Sequence, residues 1–287
     1  MDAISVDGLI LPLVGQGGWC LGDDKARAAE EKAALRRGLA LGMSLFDTAE
    51  MYGGGRSERL MGEALRGVPR ESYQLCSKVL PQNAGRPDIF RSCENSLKRL
   101  GVETLDLYLL HWRGGVPLRE TVAGMEALAE AGKIRRWGVS NFDVSDMEEL
   151  WAVPGGNRCA VNQVLYHLGS RGVEYDLLPW ARAHRVPLMA YCPLAQGGTL
   201  RRTRQAFLTD PVLLRVAQKY RVGVLQIMLA FVLRHGDIVA IPKAGTPTHV
   251  EQNAQALALA SDIDARDWDD IDATFWPPTA KMHLDIE

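Results

Sequence analysis

Leu105-Asp106-Leu107-Tyr108-Leu109-Leu110 is apolar on both of its faces. A strand with one wet face alternates polar and apolar residues, so this run reads as a parallel strand covered on both sides. Taken to residue 112, it is the fourth of eight strand-like segments, the others being 14–19, 44–49, 73–79, 135–141, 159–166, 187–194 and 238–244. Helix-period stretches lie between them. Ala28, Leu35, Leu39 and Gly42 fall on one face, as do Ile89, Cys93, Leu97 and Leu100 before Gly101, and Val122, Met125, Leu128 and Ala129 before Gly132. A later helix starts at Thr246-Pro247, a capping hydroxyl followed by proline in the first turn. A repeat of roughly 30 residues is one βα unit, so the alternation predicts an α/β protein, a (β/α)8 TIM barrel in a single domain over residues 1–287. Asp7-Gly8 marks an N-terminal β-hairpin that caps the barrel bottom.

Other classes recede on composition. Hydrophobic residues are 47% and charged residues 24%, as in an ordinary globular chain. Lys+Arg at 33 against Asp+Glu at 35 gives a net charge of −2, without the basic excess that nucleic acid or a membrane surface demands. No apolar run approaches ~18 residues, and the start has no basic segment leading into an apolar one, so the expectation is a cytoplasmic protein with no membrane partner. The five cysteines are odd in number, widely spaced and without C-x-x-C, which points to reduced thiols rather than a metal site or a disulfide framework. A doubly wound dinucleotide fold would need G-x-G-x-x-G after the first strand; Gly15-Gln16-Gly17-Gly18-Trp19-Cys20 ends in cysteine and fails.

Barrel chemistry gathers at the C-terminal ends of strands. Those ends carry Asp47 with Tyr52 just beyond it, Lys78, His111, Ser140-Asn141, Asn162-Gln163, Tyr191 and Lys243. Singly, each has an ordinary reading: a helix cap, a snorkelling amine, a packed ring, a core histidine. Together, Asp47, Tyr52, Lys78 and His111 converge on one mouth and make chemical sense. Lysine beside a buried aspartate stays protonated, and a cation near a phenol lowers the phenol pKa. Such a tyrosine exchanges a proton with a carbonyl oxygen, and a neighbouring histidine polarises that oxygen. No activated serine or cysteine is evident, so a hydride from a bound cofactor is the natural attacking group.

The run Phe46-Asp47-Thr48-Ala49-Glu50-Met51-Tyr52-Gly53, with Ser57-Glu58 and Gly62-Glu63-Ala64-Leu65 after it, resembles the signature of the aldo-keto reductase family. So do Ser77-Lys78-Val79, Leu110-His111-Trp112, Trp137-Gly138-Val139-Ser140-Asn141-Phe142 and Ile241-Pro242-Lys243, in the family's order from about residue 15 to about 255. The resemblance implies a barrel that binds NADPH without a Rossmann fold and reduces aldehydes and ketones. It makes Asp47, Tyr52, Lys78 and His111 the catalytic tetrad, with Tyr52 as general acid. It assigns Ser140, Asn141 and Gln163 to the nicotinamide carboxamide, Tyr191 to the nicotinamide face and Leu194 to the pyrophosphate. Lys243 falls to the adenosine 2′-phosphate, and Gln252 and Asn253 to the adenine. Trp19, Met51 and Trp112 would line an apolar substrate mouth. Two positions depart from the family pattern, which commonly has Ser or Thr at Ala244 and Arg at His249. Both changes remove phosphate ligands, although His249 can still stack on adenine. The implied cofactor is therefore NADPH, with NADH possible.

Further expectations follow. Residues 196–210, with Gly197-Gly198 and Arg201, Arg202 and Arg204, read as a flap over the cofactor. Asp262, Asp264, Asp267, Asp269, Asp270 and Asp272 read as a solvated helix face, and Cys76 and Cys192 as structural thiols near the mouth. Short loops at 113–116 and 279–287 suggest an open pocket for small aldehydes or ketoaldehydes such as methylglyoxal, in a monomer. Two rivals stand beside the reductase: a cofactor-binding sensor barrel with little turnover, and an aldolase using Lys78 as a Schiff base.

Overall fold

Asp7 and Gly8 both take positive φ, 46° and 83°, which gives the two-residue turn the twist that joins β1 (Ala3–Val6) tightly to antiparallel β2 (Leu9–Pro12). This hairpin opens the computed structural model, which describes residues 3–195 and 204–286. Strand and helix then alternate: β3 (Gln16–Gly17), α1 (Ala28–Ala40), β4 (Leu45–Asp47), α2 (Arg56–Leu65), β5 (Gln74–Val79), α3 (Asp88–Leu100), β6 (Leu105–Leu110) and α4 (Leu118–Glu130). After them come β7 (Ile134–Ser140), α5 (Val144–Trp151), β8 (Asn162–Leu165), α6 (Leu177–His184), β9 (Leu188–Tyr191), α7 (Arg204–Leu208), α8 (Pro211–Tyr220), α9 (Val224–Leu233), β10 (Ile238–Ala240), α10 (Pro247–Asp262) and α11 (Ala265–Thr274).

Strands β3 to β10 form one eight-stranded sheet, each parallel to its sequence neighbour. A parallel bridge from Val14 to Ala240, with the Gly15 amide donating to the Ala240 carbonyl at 2.8 Å, closes it into the (β/α)8 barrel. Every expected strand is present, and β3 is the most shortened. Beyond Gly17, whose amide still reaches the Pro242 carbonyl, the chain turns away, with the Leu21 amide bonding back to Gly18. Helices α7 and α8 are additions to the expected set, and α11 carries most of the expected acidic helix. Gly101 ends α3 at φ 72°, and the Thr246 side chain caps α10 at the His249 amide.

The period of two along each strand sorts its side chains. Leu107 and Leu109 of β6 point inward and join Leu45, Cys76, Val161, Met189 and Val239 in an apolar cluster inside the barrel. Val6, Leu9 and Leu11 of the hairpin complete that cluster and plug the bottom. Tyr108 and Leu110 point the other way, into the layer shared with the helices. Helix α9 is buried at nearly every position, which explains its continuous apolar sequence. No single described helix is long and apolar enough to cross a membrane.

The acidic stretch is a solvated face only in part: Asp262, Asp264 and Asp269 are exposed. Asp267 is buried and meets Arg215 and Lys219 of α8, at 2.8 and 2.5 Å, and the Tyr220 hydroxyl. Asp272 pairs with Arg171 and Arg234. These contacts fasten α11 to the barrel wall, a partnership across distant segments that local composition does not reveal.

Candidate active site

The mouth is built two residues further along the inward faces that make the floor. On β4, Leu45 belongs to the floor and Asp47 to the mouth; on β5, Cys76 and Lys78 divide in the same way. The Lys78 Nζ is fully buried and donates to Asp47 Oδ2 at 2.7 Å, the Thr48 carbonyl at 2.9 Å and the Tyr52 hydroxyl oxygen at 3.1 Å. These use all three of its protons. An ammonium only donates, so the Tyr52 oxygen accepts from it and the phenol proton is left to point away, toward the cavity. Tyr52 reaches this position from the loop after β4. Gly53, at φ 56°, lets that loop turn sharply, and a Cβ there would sit 2.5 Å from Asp23 Oδ1.

Aromatic rings frame the phenol. Trp19 meets it edge-on at 4.9 Å between centroids, and His111 at 5.6 Å. Trp112 packs beside His111 at 4.8 Å. Burial pushes the Tyr52 pKa above that of ordinary tyrosine; Lys78 pulls it down, but Asp47 offsets the pull. The expected lowering therefore does not occur in the protein alone, because desolvation outweighs a cation that is already paired. Burial would lower the Lys78 pKa, yet the charges of Asp47 and Tyr52 outweigh it and raise it. An amine locked as an ammonium cannot attack a carbonyl, so the Schiff-base alternative fails. Burial, and then Lys78, hold the His111 pKa down at about 2, leaving an uncharged imidazole.

A cavity of about 400 Å³ is lined by Asp47, Tyr52, His111, Ser140, Asn141, Gln163, Tyr191 and Lys243, with Trp19, Met51 and Trp112. Lys78 stands directly behind it. A second cavity of about 440 Å³ shares Lys243 and is lined by Leu194, His249, Gln252 and Asn253. Every expected site residue except Lys78, which stands behind the first, thus lines one or other of two cavities that share a lysine. Within the first, Gln163 Nε2 donates to Asp47 Oδ1 at 2.8 Å and so fixes that carboxylate. The Tyr191 hydroxyl donates to Asn141 Oδ1 at 2.8 Å, and Ser140 Oγ to the Gln163 carbonyl. Asn141 holds φ 60°, a left-handed conformation that asparagine tolerates better than most residues.

Sequence reasoning missed Arg27, which lines the second cavity beside Arg204 of the expected flap. Arg27 carries a faint signal, a basic residue in the first β/α loop, where barrel sites gather. Residues 196–203 of the expected flap lie outside the described residues. Cys76 is buried on the floor side, where burial and the Asp47 charge push its thiol well up; Cys192 lines the first cavity. Residues 113–116 lie in a short connection between β6 and α4. The C-terminal segment is tied through Lys281 to Asp143 and Asp176, and none of its described residues lines either cavity. A wider cleft of about 680 Å³, lined by Arg66, Lys98 and Arg135 among others, shares no residue with these two.

A family model described as "Aldo/keto reductase family" matches residues 13–274. The chain belongs to the aldo/keto reductase family. It is 50% identical to methylglyoxal reductase YeaE of Escherichia coli over 276 residues, 96% of this chain and 95% of that one. It is 32% identical to a glyoxal reductase of Bacillus subtilis over 269 residues, 93% of this chain and 90% of that one. A crystal structure of an aldo/keto reductase from Klebsiella pneumoniae in complex with NADP and acetate superposes with a TM-score of 0.95 at 46% identity, covering 100% of this chain and 99% of that one. This reductase gathers its ionisable groups at the C-terminal ends of the strands of a closed barrel.

Proposed function

We propose that this chain is an NADPH-dependent reductase of small aldehydes and ketoaldehydes, methylglyoxal among them, acting in the cytoplasm as a monomeric barrel over residues 1–287. The observation that carries the reading is the Lys78–Tyr52 contact of 3.1 Å at the wall of a cavity also lined by His111. The residues present suit the cofactor. Two cavities sharing Lys243 supply a long trough for an extended dinucleotide, and the buried Asn253 Nδ2 in the second has no hydrogen-bond partner of its own. Ser140, Asn141 and Gln163 would hold the carboxamide, Tyr191 the ring face, Leu194 the pyrophosphate, Lys243 the 2′-phosphate, and His249, Gln252 and Asn253 the adenine. When bound, the reduced nicotinamide supplies a hydride to the carbonyl carbon.

The chain's own groups handle the proton. Tyr52 presents its O–H to the carbonyl oxygen, and a raised pKa keeps that proton in place at neutral pH. Lys78 fixes the orientation of the phenol by occupying the other side of its oxygen, and compensates charge on that oxygen once the proton has gone. Asp47, held by Gln163 and Lys78, keeps the ammonium charged. His111, uncharged, offers a neutral hydrogen bond to the same carbonyl oxygen and adds no second cation. Trp19, Met51 and Trp112 give the mouth apolar walls on a scale that suits small carbonyls, consistent with relatives named for methylglyoxal and glyoxal. Following NADPH consumption with a panel of aldehydes tests the reading. Turnover of methylglyoxal and other small aldehydes is expected; tight cofactor binding with negligible turnover across the panel would make the chain a sensor instead.

A further inference from the structure

Two of the three cations that line the second cavity, Arg27 and Lys243, face a shared gap. Lys243 approaches it from the strand end beyond β10, and Arg27 from the short turn Lys25–Arg27 that precedes α1. The Arg27 Nη2 and the Lys243 Nζ lie 2.8 and 3.4 Å from the one point where a Cβ on Gly245 would sit. Glycine at 245 thus leaves open the gap onto which both charges converge. The only described ion pair of Arg27 is a long one, 3.9 Å from its Nε to Glu30, with both side chains about half exposed, which leaves the Nη edge of the fork unclaimed. No Asp or Glu stands among the described residues lining this cavity. A site built for a ribose 2′-hydroxyl places a carboxylate there, whereas one built for a 2′-phosphate places guanidinium or ammonium groups.

We infer that Arg27 is a specificity-determining residue that grips the 2′-phosphate together with Lys243 across Gly245. It takes the place of the phosphate ligands lost at Ala244 and His249, with its cation supplied from the opposite end of the barrel sequence. The inference rests on the NADPH reading and deepens it. Two like charges a few ångströms apart repel in the empty cavity, and a dianionic phosphate relieves that repulsion while accepting the planar fork of the guanidinium.

Calorimetric titration with adenosine 2′,5′-bisphosphate and with adenosine 5′-monophosphate tests it without turnover. These nucleotides differ only in the 2′-phosphate. The wild-type protein is expected to bind the bisphosphate more tightly. Arg27→Gln is expected to weaken the bisphosphate about tenfold, the scale of one partly exposed charge-assisted contact, and to change the monophosphate less than twofold. Gly245→Ala, which fills the gap, is expected to weaken the bisphosphate selectively as well. If the wild type discriminates between the nucleotides and Arg27→Gln weakens both alike or neither, the role of Arg27 is overturned and the NADPH reading stands. If the wild type itself does not prefer the bisphosphate, both fall.

Discussion

The floor and the mouth of this barrel are made by the same strands on the same inward faces, two residues apart, yet they are opposite in chemistry. Leu45 and Cys76 close an apolar layer over the hairpin, while Asp47 and Lys78, the next inward positions, form a buried ion pair. Burial alone cannot explain the difference, since Leu45, Cys76, Asp47 and Lys78 are all inaccessible. Partners explain it. The floor needs only shape, so apolar residues of the right volume suffice. At the mouth each charge is held by named groups: Lys78 by Asp47, Thr48 and Tyr52, and Asp47 by Lys78 and Gln163. A layer of this kind adds little net stability, because desolvation offsets much of the attraction within it. Its return is a phenol held in one orientation.

Breaking the two layers separately sharpens the contrast. Lys78→Met leaves the buried Asp47 carboxyl without its cation, and is expected to cost about 3–5 kcal/mol in denaturant unfolding as well as nearly all turnover. Leu109→Ala opens a hole in the floor and is expected to cost about 2–5 kcal/mol, with turnover per folded molecule unchanged. Activity lost in proportion to neither stability nor folded fraction in Leu109→Ala would mean that floor and mouth are coupled. His111 gives a pH test. Its folded pKa is about 2 against 6.5 when exposed, so its contribution to stability is present above about pH 6.5 and is lost as pH falls toward 2. His111→Gln is expected to flatten the acid limb of a stability–pH curve, while the limb due to His167, held at about 4 by its burial, persists. The smallest effect belongs to Ala244→Ser, which restores a hydroxyl at the second cavity and is expected to tighten NADPH binding about 2- to 10-fold in a fluorescence titration.

Much of this was legible in the sequence, for a physical reason. A run apolar on both faces exposes strand 105–110, turn chemistry exposes Asp7-Gly8, capping exposes Gly101 and Thr246, and the rule that barrel chemistry lies at strand ends exposes Asp47, Lys78, His111 and Lys243. These are local signals. What escaped depends on contacts between distant segments. The direction of the Tyr52 pKa turns on how deeply Trp19 and His111 bury the ring and on how fully Asp47 occupies the cation. Asp267 looks like one of a row of surface acids until Arg215 and Lys219 are seen against it. Gln163 reaches across the barrel to Asp47, and Arg27 is brought beside Lys243 only when the barrel closes between its first and last strands.

The central claim is that Tyr52 gives up a proton to the carbonyl in the step that decides turnover. Single-turnover reduction of methylglyoxal by Tyr52→Phe at saturating NADPH, alongside the cofactor dissociation constant, measures it directly. The account predicts a rate lower by about 10²–10⁴-fold, the range for a lost general acid, with cofactor affinity within about twofold of wild type. A rate within about tenfold of wild type would contradict it.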